Sequence, residues 1–293
     1  MLAPSAHVDT FTRDNLPAAD MWPPLEFDPQ VFGSANPYPD KLNAAVELLD
    51  TTIARFGADR RAVVFPGGSW TYGELRDRAN RLANALVDDY GVVPGNRVLL
   101  RMPNNEWLVA AWFAVLKAGA VAVTTMPALR ATELRTVHEI ANVTVSLVDH
   151  RFMSDWTDAG IGTGAVVGGG GDDDLLIRLD SHKADFTAAE TAADDVAVLA
   201  FTSGTTGRPK ATMHFHRDML AVCDTFSAHV LRPTQDDLFV GSPPIGFTFG
   251  LGALVLFPMR VGAAMLVLER ATPDALARSV ADYGVTVMST APT

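Results

Sequence analysis

The sequence predicts an α/β protein built around a mainly parallel β-sheet. Continuous apolar segments alternate with segments of helical periodicity, as where "RVLLRM" (97–102) precedes "NEWLVAAWFAVLKAG" (105–119). Strands covered on both faces are apolar throughout, and parallel strands need a crossover between them. The composition, 48% hydrophobic and 19% charged over 293 residues, is typical of a folded globular protein. We therefore expect helices on both faces of the sheet.

The elements follow a start that is rich in proline. Residues 1–40 have little periodicity and contain seven prolines, which predicts an extended arm laid over the surface. Thr71 and Glu74 then match a capping box, and apolar residues at helical spacing predict a helix over 72–90, ended by Gly91. Further strands are expected at 97–102, 120–126, 144–149, 196–201, 237–242, 264–269 and 285–290, and further helices at 105–119, 132–143, 216–231, 249–259 and 273–283.

A run of small and acidic residues suggests where the chain divides. "GGGGDDD" (168–174) has no packing capacity and predicts a solvated, flexible loop. We expect a first α/β subdomain over 41–167 and a second α/β region over 175–293.

Charge and cysteine content exclude several classes of protein. With 34 acidic and 23 basic residues the net charge is -11, which argues against a nucleic-acid-binding surface. Cys223 is the only cysteine, so an internal disulfide and a cysteine zinc site are excluded, and we expect it to be buried. No secretory signal is visible, and Pro258 and Arg260 interrupt the most apolar stretch, so no membrane span is expected. These features favour a cytoplasmic protein.

The segment "LAFTSGTTGRPK" (199–210) has the composition of a phosphate-binding loop. Gly204 and Gly207 permit backbone turns that aim N–H groups at an anion, and Lys210 adds a positive charge. Hydroxyl donors come from Thr202, Ser203, Thr205 and Thr206. The spacing matches neither a Walker loop nor a dinucleotide fingerprint. The alternative is an ordinary turn that connects a strand to a helix.

This segment resembles the phosphate-binding signature of the adenylate-forming superfamily, which includes acyl- and aryl-CoA ligases, luciferases and peptide-synthetase adenylation domains. "WTYGELRDRANRLANAL" (70–86) and "LKAGAVAVTTMP" (116–127) are similar to structural motifs of the same family. The resemblance begins at about Leu42. It implies the layered, parallel-sheet large N-terminal domain of these enzymes, incomplete at its C-terminal side, because several family motifs would lie beyond Thr293. We therefore expect the N-terminal part of a longer ligase, inactive by itself.

The resemblance also implies a reaction. A carboxylic acid attacks ATP to give an acyl-adenylate and pyrophosphate, and a thiol, usually coenzyme A, then displaces AMP. ATP, Mg²⁺ and coenzyme A are the implied cofactors. The β- and γ-phosphates would be held by Ser203, Thr205, Thr206 and Lys210, with Thr202 in the same loop and the backbone of Gly204 and Gly207 in close approach. Thr206 and Lys210 are the implied catalytic residues, Thr206 lies near the magnesium shell, and the metal ligands remain unassigned. Ala211 departs from the glycine usual after the lysine.

Two segments narrow the resemblance. "KATMHFHRDML" (210–220) and "SAHVDTFTRDNLP" (5–17) look most like 2-aminobenzoate and benzoate CoA ligases. The expected partner is therefore a small-molecule aromatic carboxylic acid, and a homodimer is left open. The alternatives are a ligase for a fatty acid or amino acid, and a stand-alone ATP- or acyl-binding relic without turnover.

The acyl pocket is expected at "SPPIGFTFGLGALVLFP" (242–258). Phe247 aligns with the aromatic gate of the family, Gly250 and Gly252 would leave room for a ring, and Phe249 would begin a helix. The alternative is that both phenylalanines belong to the core.

Two pairs of polar residues flank the strand at 196–201. His214 and His216 are expected to start the following helix, with His214 as a candidate substrate contact. They lie two residues apart without a third ligand, which argues against a metal site. Asp194 and Asp195 are expected in a solvated turn.

Overall fold

The computed structural model describes residues 3–22, 25–202 and 209–291. The strands are β1 (Arg61–Phe65), β2 (Gly68–Thr71), β3 (Arg97–Arg101), β4 (Val121–Thr125), β5 (Val145–Asp149), β6 (Thr163–Val167), β7 (Val196–Thr202), β8 (Lys210–Phe215), β9 (Leu238–Gly241), β10 (Ala264–Leu266) and β11 (Val287–Ser289).

Twelve α-helical segments lie between them in the described residues. They are α1 (Phe11–Asp14), α2 (Pro29–Phe32), α3 (Thr51–Phe56), α4 (Tyr72–Asp88), α5 (Glu106–Lys117), α6 (Ala131–Ala141), α7 (Met153–Ala159), α8 (Leu175–Arg178), α9 (His216–Val222), α10 (Thr248–Leu251), α11 (Phe257–Val261) and α12 (Pro273–Tyr283). Wider π-helical turns precede α3 at Val46–Asp50, extend α9 over Cys223–Leu231 and join α10 to α11 over Gly252–Leu256.

The strands form two sheets. The first has the order β6-β5-β3-β4-β7-β8, parallel except for β8, which pairs antiparallel with β7. The second has the order β11-β9-β10-β1-β2, parallel except for β2. Every residue of β3, β4 and β5 is buried, which explains their continuous apolar sequence. The predicted α/β class with mostly parallel strands is confirmed.

The sheets do not follow the division predicted at residues 168–174. The hairpin of β1 and β2 precedes the first sheet in the chain, yet β1 pairs with β10 of the second sheet. Strands β7 and β8 come after residue 174 and complete the first sheet. The loop itself is tied down, since the buried carboxylate of Asp174 accepts hydrogen bonds from the N–H groups of Gly168 (2.8 Å) and Gly170 (2.9 Å).

Helices α4 and α5 pack between the two sheets' strands in the main core. The capping box at the start of α4 is confirmed, because Thr71 Oγ1 accepts from the Glu74 N–H and the Glu74 carboxylate accepts from the Thr71 N–H. Helix α5 ends before Gly119, whose φ of 71° favours glycine. A Cβ at Gly119 would lie 2.7 Å from Ala189 Cβ, so the chain is closely packed at this helix end.

The expectation that Asp194 and Asp195 lie in a solvated turn is wrong. Both are buried, and the amino-terminal arm is fixed on them. The Asp195 carboxylate accepts hydrogen bonds from the Ala6 N–H (3.0 Å), the Arg13 guanidinium (2.6 Å) and the Ser5 hydroxyl. Buried carboxylates are stable only when paired in this way, which short-range sequence patterns do not reveal.

A second contact holds the arm beside β3. The fully buried side chain of Arg97 pairs with the Asp9 carboxylate at 2.5 Å, and the Phe11 ring lies 4.7 Å from the guanidinium carbon. The N–H of Asp9 donates to the carbonyl of Pro94 (3.0 Å). Gly95, with a φ of 89°, lies where a Cβ would collide with the carbonyl oxygen of Asp9. The arm is therefore fitted closely to this turn.

Two further expectations concern single elements. Cys223 is buried as predicted, and burial raises the pKa of its thiol.

None of the helices in the described ranges combines the length and the apolar character that crossing a bilayer requires.

Candidate active site

The loops that follow strands of both sheets meet in one cleft. Strands β3, β4 and β5 of the first sheet and β9 and β10 of the second point their carboxyl ends toward it. In open parallel sheets ligands bind at this edge. The cleft has a volume of about 480 Å³. Its walls consist of Met102, Pro103, Asn104, Thr125, Met126, Pro127, Ala128, Arg151, Phe152, Ser242, Pro244, Gly246, Leu268, Glu269, Arg270 and Ala271.

Hydrogen bonds from the first sheet fix the segment 242–246 along this cleft. The Asn104 side chain donates to the carbonyl of Pro243 (3.1 Å) and accepts from the Ile245 N–H (2.8 Å). The Thr124 hydroxyl donates to the carbonyl of Gly246 (2.9 Å). Gly246 leaves no room for a side chain, because a Cβ would lie 3.0 Å from the carbonyl oxygen of Thr125. This anchoring sets where Phe247 emerges.

Arg101 shapes another wall of the cleft. Its fully buried guanidinium donates to the carbonyls of Met126 (3.1 Å), Leu129 (2.9 Å) and Phe152 (3.2 Å). Burial lowers the pKa of this guanidinium, and the carboxylate of Asp155 opposes the shift. The signal for Arg101 in the sequence is an arginine at the end of a strand whose three central residues are apolar.

The predicted phosphate loop connects β7 to β8. Thr202 and Lys210 are register partners at the open end of this hairpin, and both are exposed. Ser203, Gly204, Thr205, Thr206 and Gly207 lie outside the described residues, so their predicted roles stay predictions. The expectation that the loop leads directly into a helix is wrong, because β8 intervenes and pairs with β7 along its length.

Strand β7 lies beside β4, a strand that ends at the cleft. Ala200 of β7 is the register partner of Thr124 in β4, whose next residue, Thr125, lines the cleft. Neighbouring strands are about 4.8 Å apart. The open end of the hairpin therefore lies one strand away from the cleft.

His214 lies in β8, not at the start of a helix as expected. Its Nε2 is 2.9 Å from the Thr212 hydroxyl, which also donates to the carbonyl of Ala200 (3.1 Å). Burial lowers the pKa of His214, and the Asp218 carboxylate opposes the shift. A direct substrate contact of His214 stays a prediction.

His216 begins α9, as the sequence predicted, and is fully buried. Its Nδ1 accepts from the Ala44 N–H (3.0 Å), and burial lowers its pKa to about 3. Within the described ranges no group of three histidine, cysteine or acidic side chains could hold a metal ion.

Both phenylalanines of the predicted acyl pocket are exposed. Phe247 precedes α10 with 40% of its surface accessible, and Phe249 lies within α10 at 52%. The alternative that both belong to the core is therefore wrong. Phe249 lies in the first turn of the helix, close to the predicted start, and the gate role of Phe247 stays a prediction.

Gly250 and Gly252 are in close contact with the protein itself. A Cβ at Gly250 would collide with the carbonyl groups of Pro243 and Pro244, and one at Gly252 would lie 3.3 Å from the Phe257 ring. The space beside both glycines is thus occupied, contrary to the expectation that they leave room for an aromatic ring. Gly250 instead lets α10 pack on the segment that borders the cleft.

Comparison with known proteins identifies the family. Residues 49–293 match the family model described as AMP-binding enzyme. The chain belongs to this family. The match includes the segment 199–210, the residues that line the cleft, and Phe247 and Phe249. The AMP-binding fold therefore accounts for the arrangement of loops at the carboxyl edge of the two sheets.

Individual relatives of this AMP-binding enzyme include two aryl-CoA ligases. Benzoate–CoA ligase of Thauera aromatica is 28% identical over 245 residues, which are 81% of this chain and 46% of that protein. 3-Hydroxybenzoate–CoA ligase of Aromatoleum sp. (strain CIB) is 34% identical over 233 residues, 77% of this chain and 44% of that protein. The chain thus spans about half the length of these relatives.

A solved structure shows the same fold. The anthranilate CoA ligase AuaEII, in complex with anthranoyl-AMP, superimposes with a TM-score of 0.80 at 24% identity, covering 87% of this chain and 51% of that one. At this identity the likeness concerns the fold alone.

One charged group at the mouth of the AMP-binding enzyme's cleft was not found from the sequence. Arg151, after β5, donates two hydrogen bonds of 2.7 Å to the carboxylate of Glu269, after β10. Arg151 also donates to Asp149 at 2.6 and 2.9 Å, and these bonds lower the pKa of that carboxyl, although burial opposes the shift. The signal is weak, because 118 positions separate the two partners.

Proposed function

We propose that this AMP-binding enzyme is part of a ligase that activates an aromatic carboxylic acid of the benzoate or 2-aminobenzoate class. The acid reacts with ATP to form an acyl-adenylate, and the acyl group then passes to the thiol of coenzyme A. The observation that carries the proposal is the position of the β7–β8 hairpin. Its open end, between Thr202 and Lys210, lies one strand from a cleft that is large enough for a small organic acid. The two aryl-CoA ligases among the relatives support the class of acid.

In the first step a carboxylate oxygen of the acid attacks the α-phosphorus of ATP. The bond between the α-phosphorus and the bridging oxygen breaks, and pyrophosphate leaves with the electron pair. The predicted role of Ser203, Gly204, Thr205, Thr206 and Gly207 is to hold the β- and γ-phosphates through hydroxyl and N–H groups. Lys210 would oppose the negative charge that grows on the leaving pyrophosphate. Positioning and charge supply most of the rate in such transfers.

In the second step the sulfur of the thiol attacks the carbonyl carbon of the acyl-adenylate. The bond to the AMP oxygen breaks, and the thiol proton is lost to solvent or a base. Phe247, exposed beside the anchored segment 242–246, is suited to separate the acid from solvent between the two steps.

Mg²⁺ would accompany ATP. The described residues do not provide a cluster of carboxylates for the ion, so the chemistry of the donors favours an ion held mainly by the phosphates, with Thr206 as a candidate hydroxyl contact. The ion would neutralise phosphate charge when bound.

The test has two parts. ATP is titrated by calorimetry into the chain of residues 1–293, and pyrophosphate release is measured with the longest form of the protein that its gene encodes. The acids are benzoate, 2-aminobenzoate, 3-hydroxybenzoate, octanoate and phenylalanine. We expect ATP binding in the first part, and in the second the fastest release with an aromatic acid and an aryl-CoA product by mass spectrometry.

Different outcomes separate the alternatives. ATP binding without pyrophosphate release from any acid would favour the stand-alone binding protein. Fastest release with octanoate or phenylalanine would assign another acyl class. An acyl-adenylate that coenzyme A does not consume would overturn the proposed acceptor.

A further inference from the structure

The segment 268–271 is a wall shared by two cavities. On one side lies the cleft of about 480 Å³, and on the other a cavity of about 500 Å³ bordered by Phe65, Pro66 and Glu106. Leu268, Glu269 and Arg270 line both. Asn104 also lines both and is fixed by its hydrogen bonds to Pro243 and Ile245, so Asn104 and the segment 268–271 together separate the two spaces.

Main-chain bonds do not hold this wall in place. Strand β10 ends at Leu266, and the last ladder-like bond is donated by the Val267 N–H to the carbonyl of Val64 (2.9 Å). In the described part of the chain, residues 268–271 make no backbone–backbone hydrogen bond before Thr272 caps α12. A segment without such bonds opens at low cost in free energy.

The side chain of Glu269 supplies the anchor. Its two carboxylate oxygens accept one hydrogen bond each from Arg151, and Asn105 Nδ2 lies 3.4 Å away. The bonds from Arg151 lower the pKa of the Glu269 carboxyl, although burial opposes the shift. Among the described residues this is the one ion pair that joins a loop after a strand of the first sheet to a loop after a strand of the second.

The partner arginine is itself held in position. Asp149, at the end of β5, has a side chain only 7% exposed and binds Arg151 through Nε and Nη2. The guanidinium is thus oriented by a rigid strand and presents its remaining donors across the cleft. The Arg151–Glu269 ion pair therefore joins a side chain fixed by β5 to the segment 268–271, which lacks main-chain hydrogen bonds.

We propose that Arg151 and Glu269 are positioning residues that act as a latch on the wall. With the ion pair formed, the segment 268–271 keeps the cleft and the second cavity apart. With the pair broken, the segment moves and the two cavities join, so the cleft accepts a longer ligand. The side chains of Arg151 and Glu269 are 42% and 39% exposed, so the pair is weak enough to open during a catalytic cycle. The latch does not depend on which acid the protein activates.

The test measures how easily the wall opens, without any enzymatic activity. Arg270 is exposed, so trypsin can reach its side chain, and cleavage after it becomes faster as the backbone of residues 268–271 is freed to enter the protease. The rate at this bond is followed by mass spectrometry. We expect Arg151→Gln to raise the rate about fivefold, the effect of losing an exposed bidentate ion pair. Arg151→Lys keeps the charge but not the paired geometry and should give an intermediate rate.

Salt distinguishes a latch from simple packing. Raising NaCl from about 0.05 M to about 1 M shortens the screening length to about 3 Å, so cleavage of the unaltered protein should approach the rate of Arg151→Gln. The variant itself should respond little to salt. Trypsin activity at each salt concentration is calibrated on a peptide of residues 264–276.

Arg76→Gln is the matched control. Arg76 pairs with Asp77 at 3.0 Å, and the two side chains are 37% and 47% exposed, but the pair lies on α4 away from the wall. It should leave cleavage after Arg270 unchanged. Equal rates for Arg151→Gln and the unaltered protein, or equal acceleration at every trypsin site, would overturn the proposal.

Glu269→Gln covers the case in which Arg151→Gln does not fold. Its cleavage rate is compared with that of the 264–276 peptide carrying the same change. A greater acceleration in the protein than in the peptide supports the latch, and an equal acceleration in both overturns it.

Discussion

The two ends of the β7–β8 hairpin differ sharply although the same two strands form both. At one end Val196 pairs with Phe215, next to the buried carboxylate of Asp195 and the arm bound to it. At the other end Thr202 and Lys210 are exposed. The contrast shows that one end of a hairpin can be fixed by buried contacts while its other end stays exposed. The fold concentrates its polar contacts at the Asp195 end of the hairpin and leaves the Thr202 and Lys210 end accessible.

The largest effect is expected at the open end. Lys210→Ala should lower pyrophosphate release about 10²- to 10³-fold in the form of the protein that turns over, because a charge aimed at the transferring phosphates is lost. Its thermal stability should not change. The control is Lys41→Ala, which removes an exposed lysine paired with Glu190. Near-normal pyrophosphate release from Lys210→Ala would show that the exposed end of the hairpin does not carry the function assigned to it.

At the fixed end, Asp195→Ala should destabilise the fold by about 3 kcal/mol, since it leaves the Arg13 guanidinium and two arm contacts without a buried partner. Urea unfolding measures the loss. Glu190→Ala, which removes only a surface ion pair, should leave the midpoint unchanged. If Asp195→Ala unfolded at the wild-type urea concentration, the arm would not stabilise this end.

Acid should loosen the fixed end before the open one. Burial lowers the pKa of His216 from 6.5 to about 3 and also lowers that of His7, with Asp195 opposing both shifts. Between pH 6.5 and about pH 3 the unfolded chain binds a proton at His216 that the folded chain does not bind. The stabilising contribution of the neutral histidine is therefore complete above pH 6.5 and decreases as the pH falls. For His216 alone the loss is about 2 kcal/mol at pH 5.

The pH effect is measured as the unfolding midpoint between pH 5 and pH 8. His216→Gln keeps a polar side chain without the titration and should flatten the profile. A variant with the same slope as the unaltered protein would assign the pH effect to other groups.

The smallest effect is expected midway along the hairpin. Thr212→Val removes the hydroxyl that donates to the carbonyl of Ala200 and lies beside His214, and it should cost about 0.5 kcal/mol. Thr212→Ser keeps the hydroxyl and should behave like the unaltered protein. If Thr212→Val lowered the free energy of unfolding as much as Asp195→Ala does, the stabilising contacts would not be concentrated at the Asp195 end of the hairpin.

The sequence was a good guide where local chemistry decides structure. The buried strands β3 to β5, the capping box at Thr71 and the glycine end of α5 all follow from short-range patterns, and the fold class follows from their alternation. The sequence also located the loop at the end of β7. The family resemblance, which rested on this loop and two further motifs, is confirmed.

Contacts between residues that are distant in the chain could not be predicted from the sequence. Asp195 looks like a turn residue until Arg13, 182 positions earlier, lies against it. The sequence predicts no strand at 210–215 and places His214 at the start of the following helix, because this mixed polar segment lacks the apolar run of a buried strand. Strand β2 is short and half exposed, so its pairing with β1 gave no periodic signal. Such features are set by tertiary contacts rather than by local propensity.

The fit of Gly95 against the carbonyl of Asp9 has a consequence for the history of the family. Any side chain at position 95 would displace the amino-terminal arm. The Asp195 carboxylate would then lose the hydrogen bonds that it accepts from Ala6 and Arg13. Positions 9, 13, 95 and 195 should therefore have evolved as a set. Among homologous sequences, those that have lost the arm should also be those in which position 95 is free to vary and position 195 is no longer acidic.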